Sequence, residues 1–344
     1  MRGSKILLLC AVSAALLCAC ADTPPPADVS SGGEEAPLLS VGGTALGWGE
    51  VAYLMGNAAD EYLLYRDIDW DGMIGEVPAR RYFLDRTLEL AVSAHTVGIK
   101  AAEMGYELTD EEEGAIDWEI AMEADYRGGR EAFLEELRAA GMTEELYRFY
   151  SCTVPALSDK MLSDLFGPDG PYAPDDRALL AYYRSNYICA SYLFLSGTDA
   201  YGETLTGEQL ETQRSVAQAL RRRAVGGDED FFEMVAEYGQ EYLMSLSPEG
   251  LPIPLGLFGT DFDAALSALG ENEFSEVVAT GEGFYIILRL PEDPDWFEEN
   301  KEAIWDSCAF EAFSEKVAEW GRGLDVAVSD DFYRLDPLEM IAAG

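Results

Sequence analysis

Two stretches decide the fold: CASYLFLSG at residues 189–197 and GFYIILRL at residues 283–290. Each contains two aromatic residues within an apolar run, the second also has two isoleucines, and both are bounded by turn-forming residues, which is typical of strands. Three helices are predicted between them: from the Thr206-x-x-Gln209 capping box to Gly226-Gly227, over DFFEMVAEYG, and around Phe262 to Leu269. A Pro/Gly-rich loop is predicted from Ser247 to Gly259. This order of elements predicts a compact α+β unit over 186–290.

The chain before this unit, 38–184, is predicted to be mostly helical. From Arg80 to Glu103, apolar positions recur every three or four residues, which gives one face of a long amphipathic helix. Thr109-x-x-Glu112 has the spacing of a capping box and predicts the start of the next helix. After the α+β unit a second apolar stripe follows at helical spacing: Trp305, Ala309, Phe313, Val317 and Trp320. We expect it to pack on the N-terminal helices, so that 295–328 completes a discontinuous helical domain.

Composition excludes several classes of function. The 344 residues include 23 Lys and Arg, 65 Asp and Glu and one His, for a formal charge of −42. This charge argues against binding of nucleic acid, which needs a basic surface to displace counterions. It also argues against adhesion to anionic lipid. A single histidine excludes every two-histidine metal motif, and no P-loop, GxSxG or CxxC motif occurs. We therefore expect no metal, no cofactor and no nucleic-acid partner.

The first twenty residues, MRGSKILLLCAVSAALLCAC, are typical of an export signal. A basic start precedes an apolar run that is too short to cross a bilayer, which takes roughly 20 helical residues. The junction Leu17-Cys18-Ala19-Cys20 resembles the lipobox of bacterial lipoproteins, which implies lipidation of Cys20 after removal of 1–19. Residues 20–37 are rich in Pro, Gly, Ser and acid and are predicted to be a disordered tether. The alternative is an ordinary cleavage site without lipid.

Other candidate sites are weaker. Cys152, Cys189 and Cys308 allow at most one disulfide, and we expect three small buried hydrophobic side chains. DIDWDG at 67–72 copies the first half of a calcium-binding loop, but the twelfth position is Pro78 instead of a bidentate acid. An acidic loop is therefore the better interpretation. His95 lies on the apolar face of its predicted helix and is interpreted as a core histidine.

Short motifs in this order resemble a known family. Within 186–290 they are Ala190-Ser191-Tyr192-Leu193-Phe194, Phe231-x-x-x-Val235-Ala236-x-Tyr238, Pro254-Leu255-Gly256-Leu257-Phe258 and Gly283-Phe284-Tyr285-Ile286-Ile287. This region resembles a parvulin-type peptidyl-prolyl isomerase domain. Val41-Gly42-Gly43 and the stretch 105–113 extend the likeness, so that the chain after the tether resembles the PrsA and SurA types of foldase.

The resemblance implies an α+β fold, in which a helical chaperone domain carries an inserted parvulin-like domain. It places Tyr192 and Tyr285 where the family has two histidines that face one another, and the acidic or Cys position of that polar cluster at or near Glu241. It implies a pocket for the proline ring formed by Phe258, Phe262 and Leu266. The alternatives are that these apolar residues are ordinary core, that the two tyrosines fill a lost site, and that Glu241 is a solvated surface acid.

The implied function is that of a lipid-anchored foldase on the extracytoplasmic face of the membrane. Its partners would be unfolded exported polypeptides, with contact to the membrane through the lipid alone. Isomerase activity is expected to be weak because both family histidines are tyrosines. One alternative is a catalytically inactive holdase. A remote alternative is a solute-binding lipoprotein, which needs two α/β lobes that the helical N-terminal half does not provide.

Overall fold

The structure, a computed structural model, describes residues 37–63, 68–227 and 229–343. The predicted export signal, Cys20, the tether up to residue 36 and Asp67 lie outside the described residues. Helices and small antiparallel sheets make up the described chain, which confirms the predicted α+β class.

The elements are numbered in chain order. The helices are α1 Trp48–Leu63, α2 Ala79–Met104, α3 Asp110–Tyr126, α4 Arg130–Ala139, α5 Glu144–Arg148, α6 Val154–Phe166, α7 Asp176–Asn186, α8 Gly207–Gly226, α9 Phe231–Tyr238, α10 Tyr242–Leu246, α11 Thr260–Ala268, α12 Pro294–Glu299, α13 Lys301–Gly321 and α14 Pro337–Ala343. The strands are β1 Leu39–Val41, β2 Thr44–Leu46, β3 Met73–Ile74, β4 Val77–Pro78, β5 Tyr187–Ser196, β6 Leu251–Pro254, β7 Val278–Ala279, β8 Gly283–Arg289 and β9 Val326–Val328. A π-helical turn, Phe149–Thr153, joins α5 to α6, and a 3-10 turn spans Phe332–Arg334.

The chain divides into two compact units. Among the described residues, unit 1 comprises 37–173 and 309–343, and unit 2 comprises 174–308. Unit 1 contains the sheet β2-β1-β9, and unit 2 contains the sheet β6-β5-β8-β7. The region 186–290 that resembles an isomerase lies inside unit 2. Among the described residues, no helix combines the length and the apolar character needed to cross a bilayer.

Local signals fix the helix ends of unit 1. Helix α2 ends before Gly105, which adopts the left-handed conformation with φ 77°. Thr109 and Glu112 form the predicted capping box: the Thr109 N–H donates to the Glu112 carboxylate at 2.7 Å, and the Glu112 N–H donates to Oγ1 of Thr109 at 3.3 Å. The predicted positions of these two helix ends are therefore confirmed.

The core of unit 1 contains a short polar chain. His95 is buried, as expected, and its Nε2 is 3.0 Å from the hydroxyl of Tyr150, which lies in the π-helical turn. The Tyr150 hydroxyl donates in turn to the buried Glu50 at 3.1 Å. Burial raises the pKa of Glu50 and lowers the pKa of His95, so both shifts favour the uncharged forms. These side chains satisfy one another, which agrees with a structural role for His95.

The sheet of unit 2 is antiparallel throughout, with β5 and β8 at its centre. β6 lies within the stretch predicted as a loop, Ser247 to Gly259, so that part of the prediction is wrong. β6 is an edge strand, and its Pro252 and Pro254 are two residues apart. An edge strand needs N–H donors toward its neighbour only at alternate positions, so it tolerates this spacing.

A separate buried cluster of unit 2 combines aromatic and aliphatic side chains. It groups the buried residues Leu179, Tyr183, Phe297, Ile304 and Cys308. Cys189 contacts the same cluster through the Tyr183 hydroxyl, at 3.5 Å from its sulfur. All three described cysteines are buried, which agrees with the prediction that they behave as small hydrophobic side chains.

Candidate functional site

The two tyrosines lie on the same face of the central strand pair. In the antiparallel register, Tyr192 of β5 is opposite Ile287, and Tyr285 of β8 is opposite Phe194. Because opposite residues share a face, Tyr192 and Tyr285 are diagonal neighbours within reach of each other. Their ring centroids are 5.6 Å apart, with the ring planes inclined by 61°. The two rings therefore face one another, as the resemblance implies for these positions.

Three phenylalanines complete an aromatic cluster with the tyrosines. The loop after β6 ends with Phe258, and the first turn of α11 contains Phe262. Phe258 contacts the Tyr192 ring at 5.0 Å, and Phe262 contacts the Tyr285 ring at 5.1 Å between centroids. Phe194 packs against Tyr285 at 4.6 Å. These inclined rings are in the favourable range for aromatic pairs, so the cluster is held by its own packing.

Glu241 joins this cluster through a hydrogen bond. The Tyr192 hydroxyl donates to Oε2 of Glu241 at 2.8 Å. The same oxygen accepts the N–H of Met244 at 3.0 Å, because Glu241 is also the N-cap of α10. Glu241 is half-buried and is therefore not the isolated surface acid that the alternative interpretation described. Through Glu241, the N-terminus of α10 is therefore connected to Tyr192 in the middle of β5.

The two phenols are neutral groups. Burial raises the pKa of Tyr192, and the hydrogen bond to Glu241 raises it further. Burial also raises the pKa of Tyr285, with additional effects from the charges of Glu282 and Glu241. An ordinary tyrosine already titrates near pH 10, so both hydroxyls stay protonated across the neutral range. An unperturbed imidazole, by contrast, titrates near pH 6.5.

Access from solvent differs among the predicted site residues. Tyr192, Tyr285, Phe262 and Leu266 are at most 1% exposed, so none of them presents surface to a peptide in this structure. Phe258 and Glu241 are half-buried. The three apolar residues therefore form a layer in which Phe258 is reachable and the other two lie in the core. The proline pocket itself stays a prediction.

Two exposed leucines next to Phe258 belong to a motif quoted from the sequence but were assigned no role in the site. Leu255 is 37% and Leu257 54% exposed, and both precede Phe258 in one short loop. The loop is held by Asp263, whose Oδ2 accepts the N–H of Gly256 at 2.8 Å. Gly256 has φ +95°, a conformation that favours glycine. The signal was available, because three apolar residues between Pro254 and Gly259 in a loop are unusual.

This arrangement offers an apolar surface above a buried polar group. The surface is formed by the loop 255–258, and the polar group is the Tyr192–Glu241 pair with the Tyr285 hydroxyl. Among the described residues, no group of three or more His, Cys, Asp or Glu side chains could hold a metal ion. The arrangement therefore combines exposed apolar side chains in the loop 255–258 with the fixed dipoles of the two phenols and Glu241.

No protein-family model and no curated protein matches this chain. Similar solved structures include peptidylprolyl isomerase PrsA from Bacillus cereus, which is 16% identical with a TM-score of 0.34, and covers 76% of this chain and 90% of its own. Foldase protein PrsA from Streptococcus pneumoniae is 15% identical with a TM-score of 0.34, over 76% and 96% of the two chains. NmPin, the parvulin of Nitrosopumilus maritimus, is 21% identical with a TM-score of 0.24, over 31% of this chain and 97% of its own. These are proteins of the kind that the sequence motifs resemble.

The hydrogen bond between Tyr192 and Glu241 predicts unequal effects of removing its two partners. Tyr192→Phe leaves an acceptor that still holds the Met244 N–H, so we expect a loss of about 1 kcal/mol in the free energy of unfolding. Glu241→Ala removes the helix cap and also leaves a buried hydroxyl without an acceptor, so we expect about 2–4 kcal/mol. Chemical denaturation of both variants measures the difference. Tyr201→Phe, at a side chain 92% exposed, is the control and should change nothing. Equal losses in the two variants would contradict this account of the bond.

Proposed function

We propose that this chain is an extracytoplasmic protein-folding factor that binds unfolded exported polypeptides. Its region 186–290 would bind X-Pro segments and accelerate their cis–trans isomerisation. The observation that carries the proposal is the contact between the Tyr192 and Tyr285 rings, each of which also contacts the half-buried Phe258. The bond from Tyr192 to Glu241 adds a buried polar group at the same place.

Rotation about an X-Pro bond needs no covalent step. The barrier of roughly 18–20 kcal/mol comes from amide resonance, so a protein lowers it by binding the twisted amide more tightly than the planar one. The apolar surface of Phe258, with Leu255 and Leu257 beside it in the chain, offers contact area for a pyrrolidine ring. The fixed hydroxyl and carboxylate groups below would set the electrostatic field in which the amide rotates.

The tyrosines support a weaker activity than a histidine pair would. A hydroxyl both donates and accepts a hydrogen bond, as a neutral imidazole does. Tyr192 already donates to Glu241, so its hydroxyl keeps only acceptor capacity for a further partner. The pair would therefore act through its position and dipoles and would not exchange protons with a substrate.

The charge of the chain supports a preference among clients. With 65 acidic and 23 basic residues, the protein surface carries a strong negative field. Such a field attracts basic unfolded segments and opposes self-association. Both effects suit a factor that must bind many exported chains without aggregating.

Refolding of a substrate protein limited by proline isomerisation tests the catalytic part of the proposal. We expect this chain to accelerate the slow phase. We expect Tyr192→Phe/Tyr285→Phe to reduce that effect by about tenfold, the factor that corresponds to one lost hydrogen bond of about 1.4 kcal/mol. Tyr201→Phe is the matched control. If the wild-type chain suppresses aggregation of the substrate but leaves the slow phase unchanged, the catalytic proposal fails and the protein is a holdase.

We also propose that the chain is anchored by lipid at Cys20. The apolar run before it and the sequence Leu17-Cys18-Ala19-Cys20 support this. Growth of expressing bacteria with a labelled fatty acid should label the wild-type protein and the Cys18→Ser variant. Cys20→Ser should abolish labelling and release the protein from the membrane fraction. Labelling that persists in Cys20→Ser would refute the anchor.

A further inference from the structure

Helix α3 is apolar on two opposite faces. Ile116, Ile120 and Ala124 are buried in the core of unit 1. A second stripe is displaced from them by two residues: Trp118, Met122 and Tyr126, which are 67%, 50% and 88% exposed. Two residues correspond to about 200° around a helix of 3.6 residues per turn, so the stripe points away from the core. Three large apolar side chains in one row on a solvent-facing helix are more than isolated exposed residues and indicate an interaction surface. We call this stripe the outer face of α3.

The charges around the outer face fall into two groups. Toward the rest of unit 1 the acids of α3 are paired: Arg148 binds Glu113 and Asp117, Lys160 binds Glu112, and Arg127 binds Glu123. Glu111, Glu119 and Asp125 are exposed on the helix positions that flank the outer face. None of these three carboxylates forms an ion pair with another residue in the described part of the chain. The stripe is therefore bordered by negative charge that no described cation neutralises.

We infer that the outer face of α3 is a docking surface for a polypeptide segment in which apolar residues stand next to Lys or Arg. The apolar side chains would pack on Trp118, Met122 and Tyr126. The cationic groups would meet the unpaired carboxylates and could stack on the Trp118 ring, which is the best aromatic partner for a cation. The row from 118 to 126 is about 12 Å long, enough for two turns of helix or about four residues of extended chain.

The same charges argue against three other binding partners: a second copy of this chain, anionic lipid and nucleic acid. Two copies of the outer face would bring six unpaired carboxylates together, which opposes a symmetric dimer through this surface. Anionic lipid and nucleic acid would be repelled. A basic, apolar segment is the partner that complements both features. The inference rests on the proposed function only for the source of that segment, which is an unfolded client.

A labelled, proline-free peptide of Arg, Leu and Trp is the probe, and its counterpart with Glu in place of Arg is the reference. Fluorescence anisotropy with the full chain measures binding. We expect the basic peptide to bind and the acidic one not to bind. The variant Trp118→Ser/Met122→Ser/Tyr126→Ser should weaken binding by roughly tenfold or more, since exposed aromatic anchors dominate such interfaces. Because these side chains are exposed, we expect the variant to fold. The single variant Tyr126→Ser provides a second measurement with the least effect on packing.

Two variants that each remove three negative charges distinguish the effect of this surface from that of the overall negative field of the protein. Glu111→Gln/Glu119→Gln/Asp125→Asn should weaken binding by roughly threefold or more and reduce its dependence on salt. The matched control is Glu249→Gln/Glu302→Gln/Asp306→Asn, which removes the same charge from three other exposed acids and should leave binding unchanged. Equal weakening by both charge variants, or wild-type binding by the apolar variant, would overturn the inference.

The two proposals fail in different ways. Isomerisation of a short prolyl peptide should be unaffected by all variants of the outer face, and Tyr192→Phe/Tyr285→Phe should bind the proline-free peptide as the wild type does. If isomerase activity is absent but the proline-free peptide still binds to the outer face of α3, the docking inference holds and only the catalytic proposal fails. Loss of peptide binding in the tyrosine variant would assign that binding to unit 2 and refute the role of α3.

Discussion

The register between β5 and β8 is the constraint on which the candidate site depends. Seven consecutive pairs run from Ala190 opposite Arg289 to Ser196 opposite Gly283. A slip of one residue would turn Tyr192 and Tyr285 to opposite faces, because side chains alternate along a strand. Each face has its own cover: Phe262 of α11 contacts both tyrosines, and Arg214 of α8 lies over the ring of Phe284 on the other face. The burial of both faces therefore fixes the register, and the register fixes the contact between the tyrosines.

The electrostatic character of the site follows from two neutral phenols and one carboxylate. Burial holds the Tyr192 hydroxyl protonated, and this hydroxyl donates a hydrogen bond to Glu241, which also caps α10. A group that serves a helix cap and a buried hydroxyl at once is fixed in position by two independent donors. The site thus has the geometry of a polar cluster in which both phenols stay protonated at neutral pH. Any activity would come from position and dipoles, which agrees with the expectation of weak catalysis.

How far the sequence predicted the structure depended on the range of the interactions involved. Helix ends such as Gly105 and the Thr109–Glu112 box depend on contacts within four residues, and they were predicted correctly. The meeting of Tyr192 and Tyr285 followed from the resemblance and from strand alternation. β6 was missed because its prolines indicate a loop unless the strand is known to be at an edge. The bond of Glu241 joins residues 49 positions apart, and no local pattern reports it. Periodicity also could not tell which of the two apolar stripes of α3 is buried.

The central claim is that a prolyl segment binds above the phenol pair, at Phe258. Nuclear magnetic resonance of the full chain with ring-labelled tyrosine measures this most directly, during titration with a short X-Pro peptide and with the same peptide carrying Ala in place of Pro. The account predicts that the resonances of Tyr192 and Tyr285 shift with the prolyl peptide only, while that of the exposed Tyr201 stays in place. Unchanged resonances of Tyr192 and Tyr285, or equal shifts with both peptides, would contradict it.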